Sequence, residues 1–184
     1  MALRRIKLEV GNRTIGKAVT FAYKYGKELF YIIPTYQLTV FGTDDLGKSV
    51  KKDFEVFRFG VAKESPTDTP HVVGLTELQT HVIKAWLPNY SVHSHRSIEK
   101  GAWQVYKNFL IHDGPDDPVI QVYASIGCIE ICGGPHGFDR FNDLIISLSG
   151  SKKTSRDEQL AEIGRSGTMM ITYLKADRPR LVPL

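Results

Sequence analysis

Asn108-Phe-Leu-Ile-His112-Asp-Gly114, then Pro115-Asp-Asp-Pro118, then Tyr123-Ala-Ser125-Ile-Gly127-Cys128-Ile-Glu130-Ile-Cys132 is the stretch that organises the chain. Its two apolar runs read as short strands, and the Asp-Gly-Pro-Asp-Asp-Pro piece between them reads as a loop. A histidine ends the first strand, and a cysteine preceded by Ser-Ile-Gly starts the second. That is the inventory of a thiol nucleophile, its base and a backbone oxyanion site. In an extended chain Cys128, Glu130 and Cys132 share one face and Ile129 and Ile131 the other. The isoleucines are expected to face the core, and the thiol and carboxylate a groove. Gly127 is expected to turn the chain tightly where a side chain would obstruct a substrate. The N–H groups around Ile126 to Cys128 are candidate oxyanion donors.

His112, twelve intervening residues and Ser125-Ile126-Gly127-Cys128-Ile129 resemble the signature of the L,D-transpeptidase (YkuD-type) family. The resemblance implies a β-rich fold acting on peptidoglycan stem peptides through a cysteine acyl-enzyme, with no cofactor. It makes Cys128 the nucleophile and His112 its base, with Ser125 and Gly127 shaping the loop. The chain departs from the family pattern in having Ile126 where histidine is usual and Glu130 where arginine or asparagine is usual. The second departure bears on chemistry, since a carboxylate disfavours both a thiolate and a substrate carboxylate. Glu130 reads as a contact for a substrate amine, such as a diamino-acid side chain, or as a partner for a nearby lysine or arginine. Arg96 is a candidate for the positive charge that Glu130 does not supply.

Around this centre, 184 residues suggest one domain spanning 1–184, with residues 1–35 as an N-terminal strand extension. The expected class is α+β: a β-rich, L,D-transpeptidase-like fold with two C-terminal helices. Ile6, Leu8 and Val10 alternate as a first strand, and Pro34 stops the Phe30–Ile33 run or marks an edge. Tyr36–Phe41 and Ser49–Phe59 flank a hairpin loop at 42–47. Residues 74–87 are ambiguous, with Leu75, Leu78, Val82 and Trp86 on a helical stripe. Asn89–Ser94, Gly101–Tyr106 and Thr168–Leu174 read as strands. Phe138, Phe141, Leu144, Ile145 and Leu148 have helix spacing ending at Gly150, and Ser155-Arg-Asp-Glu158 opens a second helix to about Ile163.

A net charge of +4 is mildly basic and compatible with an anionic polymer. No basic stripe with interleaved aromatics speaks for nucleic acid, and no stretch is long and apolar enough to span a membrane. Met-Ala-Leu-Arg-Arg-Ile-Lys lacks the apolar core of a signal peptide. An enzyme acting in the periplasm or cell wall then needs a non-cleaved route. Delivery into a target cell by a type VI-like machine is one, by analogy, and would add an immunity protein and a secretion apparatus as partners.

Plainer readings stand beside this one. Cys128 and Cys132 are roughly 13 Å apart if extended, too far for a disulfide. With His112 and His136 they are the residue types of a zinc site, but the Cys-Ile-Glu-Ile-Cys spacing looks extended rather than hooked. His93 and His95 share a face as a metal pair, a substrate contact or a solvated strand edge. The 113–117 loop is a lid or a surface turn, and Trp86 and Trp103 read as core. A non-catalytic module gripping cell-wall peptide or a partner protein is the alternative to an enzyme, and a zinc-binding structural protein is a further one.

Overall fold

The computed structural model describes residues 2–90 and 100–184. Strands β1 (Ile6–Ala22) and β2 (Gly26–Thr43) form a long antiparallel hairpin, and β3 (Ser49–Phe57) pairs antiparallel with β2. The β2–β3 turn closes because the Asp44 carboxylate accepts the N–H groups of Leu46 and Lys48, both at 2.9 Å, while Gly47 takes a φ of 79°. Short strands β4 (Gly60–Ala62) and β5 (His71–Val73) pair with each other, and Ala62 adds a single parallel bridge to Tyr23 just after β1. Then follow β6 (Gln79–Val82), β7 (Ala85–Leu87), β8 (Ala102–Tyr106), β9 (Phe109–Asp113), β10 (Ile129–Ile131), helices α1 (Gly137–Ser149) and α2 (Arg156–Ser166), β11 (Met169–Tyr173) and β12 (Val182–Pro183). The main sheet runs β6-β11-β1-β2-β3-β10-β9-β8-β7, with β12 added to β2.

Residues 79–87 form two strands rather than a helix. The Ile83 N–H donates to the Met169 carbonyl and the Lys84 N–H to that of Gln104, both at 2.9 Å. The chain therefore steps from one edge of the sheet to the other, and the edges meet. Pairing that covers two open edges outweighs a weak helical stripe; Leu78, part of that stripe, is 65% exposed. Pro34 sits where β2 has β1 on one side only, between the last β3 pair at Tyr36 and the first β12 pair at Ile32. There a residue without an N–H is tolerated. The Asn89–Ser94 strand falls largely outside the described residues; Asn89 itself is in a turn with positive φ.

The curled sheet encloses one large core. Ile6, Leu8 and Val10, then Tyr36, Leu38 and Val40, Trp103 and Val105, Ile129 and Ile131 point into it. The helix α1 adds Phe138, Phe141, Ile145 and Leu148 at the spacing of one helical stripe. Leu148 lies against Gly42, where a Cβ would approach within 2.9 Å. Both helices end at left-handed glycines, Gly150 and Gly167, and α2 opens with the Ser155–Glu158 capping box. The outer half of the β1–β2 hairpin builds a second cluster, with Ala18, Ala22, Tyr31, Ile33, Phe57, Val61 and Cys132. No helix of the described residues is long and apolar enough to cross a membrane.

Arg58, just beyond β3, is fully buried. Its guanidinium donates to the carbonyls of Gly11 (2.7 Å), Leu75 (3.2 Å) and Leu174. Its Cζ lies 5.4–5.9 Å from the ring centroids of Tyr36, Phe59 and Tyr173. One side chain thus ties the β1 bulge, the segment before β6 and the end of β11 to the exit of β3. Arg58→Met keeps the bulk and strands three carbonyls, so we expect a loss of about 3 kcal/mol in urea unfolding. A loss under about 1 kcal/mol would show that the guanidinium does not carry this junction.

Candidate functional site: a buried thiol, imidazole and carboxylate on two parallel strands

The site is set by register. β10 runs parallel to β9, with Ile129 opposite Ile111 and Glu130 opposite His112, and antiparallel to β3, with Glu130 opposite Phe57. Ile111, Ile129 and Ile131 enter the main core. Leu110, His112, Cys128, Glu130 and Cys132 take the other face, as the period-2 reading expects. That face is not an open groove. His112 and Glu130 are 1% exposed, Cys132 is 3% and Cys128 5%. Ala102, Leu110 and Leu87 pack on Cys128, while the hairpin cluster packs on Cys132. The expected groove is a second packed layer because the β1–β2 arm and β8 cover it.

His112 is held by both ring nitrogens. Nδ1 lies 2.7 Å from the Asp113 carbonyl oxygen. A carbonyl only accepts, so Nδ1 carries a hydrogen. Nε2 is 3.9 Å from the Glu130 Oε1, with both side chains about 2% exposed. Asp113 therefore orients the ring through its main chain. Its carboxylate faces Lys100 at 3.6 Å, which also approaches Asp139 at 3.8 Å and donates to the Pro135 carbonyl at 2.7 Å.

Extending the β9–β10 register one pleat puts Cys128 beside Leu110. Glu130 is the direct cross-strand neighbour of His112, and the thiol is a diagonal one. The sulfur donates to the Asn108 carbonyl at 3.8 Å. Burial, and secondarily the Glu130 carboxylate, pushes the Cys128 thiol up to about 12, opposed by the backbone N–H at Leu110. The resting thiol is thus protonated at neutral pH, in the direction that a carboxylate at position 130 implies. Cys132, whose sulfur lies 3.8 Å from the Glu130 carbonyl, is also shifted up by burial and by Glu130 and Glu55.

The turn before the thiol rests on glycines. The Ser125 carbonyl accepts the Val61 N–H at 3.0 Å, and a Cβ on Gly60 would come within 1.8 Å of that oxygen. Gly127 has a φ of 98°, and a Cβ on it would sit 2.8 Å from the Gly74 Cα. Its need for glycine is therefore backbone against backbone, not clearance for a ligand. Ser125 is fully buried, and its Oγ accepts the Gly127 N–H at 3.4 Å. This docking holds residues 123–128 outside the sheet, and of the Cys128–Cys132 run expected to be extended, β10 takes Ile129–Ile131. Gly60 and Gly74 escaped sequence reading. Their signal was a glycine flanking a short β-branched run, which marks a close backbone approach.

The remaining candidates scatter. Arg96, His93 and His95 lie outside the described residues. His136 is exposed at the start of α1, 3.3 Å from Asp139, far in character from the buried thiols. Among the described residues no cluster of three or more His, Cys, Asp or Glu side chains is arranged to hold a metal, and both cysteines are free thiols. The 115–121 loop docks on the hairpin, its Pro118 carbonyl accepting the Val19 N–H at 2.8 Å. Trp103 is core, donating to Asn142 at 2.9 Å, with Trp86 packed 4.9 Å away. No family model, no curated protein and no solved structure matches the chain.

The raised thiol has a thermodynamic consequence. The unfolded chain gives up the Cys128 proton before the folded chain does. This contribution is intact below about pH 8.5 and declines from there toward about 12. Cys128→Ala is expected to flatten the alkaline loss of stability by about 1.4 kcal/mol per pH unit. Urea melts between pH 8 and 10.5 measure this, and equal slopes in both proteins would contradict the buried-thiol assignment.

Proposed function

We propose that the chain is a peptidoglycan-active cysteine enzyme performing acyl transfer on stem peptides, with an L,D-transpeptidase-like fold. The observation that carries the proposal is the placement of Cys128, in the turn leading into β10, against Leu110 of the parallel neighbour β9 that bears His112, with the imidazole Nδ1–H bonded to the Asp113 carbonyl. That leaves Nε2 as the nitrogen that takes the thiol proton.

In the proposed reaction the Sγ–H bond breaks and an Nε2–H bond forms. The thiolate attacks a peptide carbonyl, and N–H groups of the Ile126–Cys128 turn receive the oxyanion. Collapse to a thioester expels an amine, which takes the proton back from the imidazolium. An acceptor amine then gives transpeptidation, and water gives carboxypeptidase or endopeptidase action. Ser125 and Gly127 shape the turn. Since Cys128 is 5% exposed, its face has to open before substrate reaches it. The site of action in this reading is the periplasm or cell wall, reached as an effector delivered into a target cell, with an immunity protein and the secretion apparatus as partners.

The buried, protonated thiol favours a second reading: a non-catalytic module on the same fold that grips cell-wall peptide or a partner protein. One experiment separates the two. Purified peptidoglycan is incubated with the protein and its muropeptides are weighed by mass spectrometry. The enzyme reading expects new or shortened stem peptides, and a rate lower by about 10³-fold or more in Cys128→Ala and in His112→Ala. Turnover retained in Cys128→Ala would refute the nucleophile. No conversion by folded wild-type protein would leave the binding module.

A further inference from the structure

Glu130 occupies the position that decides whether His112 can work as a base. Of the two ring nitrogens, Nδ1 is committed as a donor to the Asp113 carbonyl, so a thiol proton can be accepted only at Nε2. Nε2 faces the Glu130 carboxylate at 3.9 Å in a nearly water-free layer. An opposite charge that close favours a proton on Nε2. An imidazole protonated on both nitrogens has no room for another proton.

We propose that Glu130 sets substrate choice in the reaction above: its carboxylate holds His112 in the doubly protonated form, and a primary ammonium on the substrate releases it. This rests on the cysteine-enzyme reading of the same site. When the ammonium pairs with Glu130, the Nε2 proton passes to solvent, and Nε2 is then open to the proton from Cys128 Sγ. One proton is lost to water on binding, and one moves from sulfur to nitrogen in the attack. Because Cys128 precedes β10 by one residue and Glu130 is its second residue, the ammonium belongs to a residue close to the scissile carbonyl. The same ion pair offsets the Glu130 charge, which adds to burial in keeping the thiol protonated. Among the described residues, the other titratable groups near this pair include Cys132 just after β10, Asp113 at the end of β9 with Lys100, Glu55 on β3, and Tyr173 on β11 with Arg58. Of these, Lys100 is engaged with Asp113 and Asp139, and Arg58 with backbone carbonyls and aromatic rings.

The test has two arms, neither of which needs turnover. In the first, iodoacetamide labelling at pH 8 is followed at Cys128, separated from Cys132 by fragment-ion mass spectrometry. Glu130→Gln is expected to label at least tenfold faster than wild type at an unchanged melting temperature, and Glu130→Asp to stay slow. In the second, binding of a lysine-containing tetrapeptide and its norleucine counterpart to Cys128→Ala protein is measured by calorimetry. The lysine peptide is expected to bind at least tenfold tighter, with proton release visible as a buffer-dependent heat, and Glu130→Gln to erase the difference. Equal labelling of wild type and Glu130→Gln, or equal binding of the two peptides, overturns the proposal. Because binding and labelling are read without catalysis, failure to process muropeptides counts against the enzyme reading alone.

Discussion

Two strands that run side by side in the same direction cannot be joined by a tight turn, and this constraint shapes the centre of the molecule. β9 and β10 are parallel, so the chain must leave the sheet after Asp113, cross over and return at Ile129. The return path fixes everything chemical in the site. It delivers Ser125, Gly127 and Cys128 in a turn rather than a strand, and it matches Glu130 to His112. A slip of one residue would swing Glu130 and both thiols into the main core and Ile129 and Ile131 out of it. The hydrophobic cost of that exchange holds the register.

The crossover is seated by close backbone contact. Gly60 lies under the Ser125 carbonyl and Gly74 against Gly127, so β4, β5 and the turn stack without intervening side chains. Behind them Arg58 satisfies three carbonyls from distant segments and lies among three aromatic rings. A buried cation here is compatible with folding because carbonyl dipoles and ring faces replace water around it. The same packing that makes the turn rigid also excludes solvent from the sulfur. The resting layer is therefore electrostatically quiet: a neutral thiol beside an imidazole that a carboxylate already engages.

Much of this architecture was legible in residue order. Alternation around Ile129 and Ile131 separated the two faces of β10, Phe138 to Leu148 marked the α1 stripe, and Ser155 with Glu158 marked the start of α2. These are local signals, decided within a turn or two of chain. What was not legible is non-local. The Leu75–Trp86 segment has a helical stripe, yet it pairs with β11 and β8 because two sheet edges need covering. Gly60 and Gly74 matter through a segment about fifty or more residues away, which no local pattern encodes. The expected groove was an inference from one strand's polar face. That the long hairpin would fold over the face depends on the bulge at residues 11–13 and on Cys132 meeting Tyr31 and Phe57. For the same reason a resemblance in motif spacing could suggest His112 and Cys128 as partners, while the register that makes Glu130 the nearer neighbour appears only in the sheet.

The central claim is that Cys128 becomes covalently acylated by a peptide, with His112 as the group that takes its proton. The most direct measurement is the intact mass of the protein after rapid acid quench from a mixture with stem-peptide substrate. The account predicts an added mass equal to the acyl fragment, mapped by fragmentation to Cys128, labile to hydroxylamine as a thioester, and lost in His112→Ala. Product formation with no adduct at Cys128, or an adduct on another residue, would contradict it.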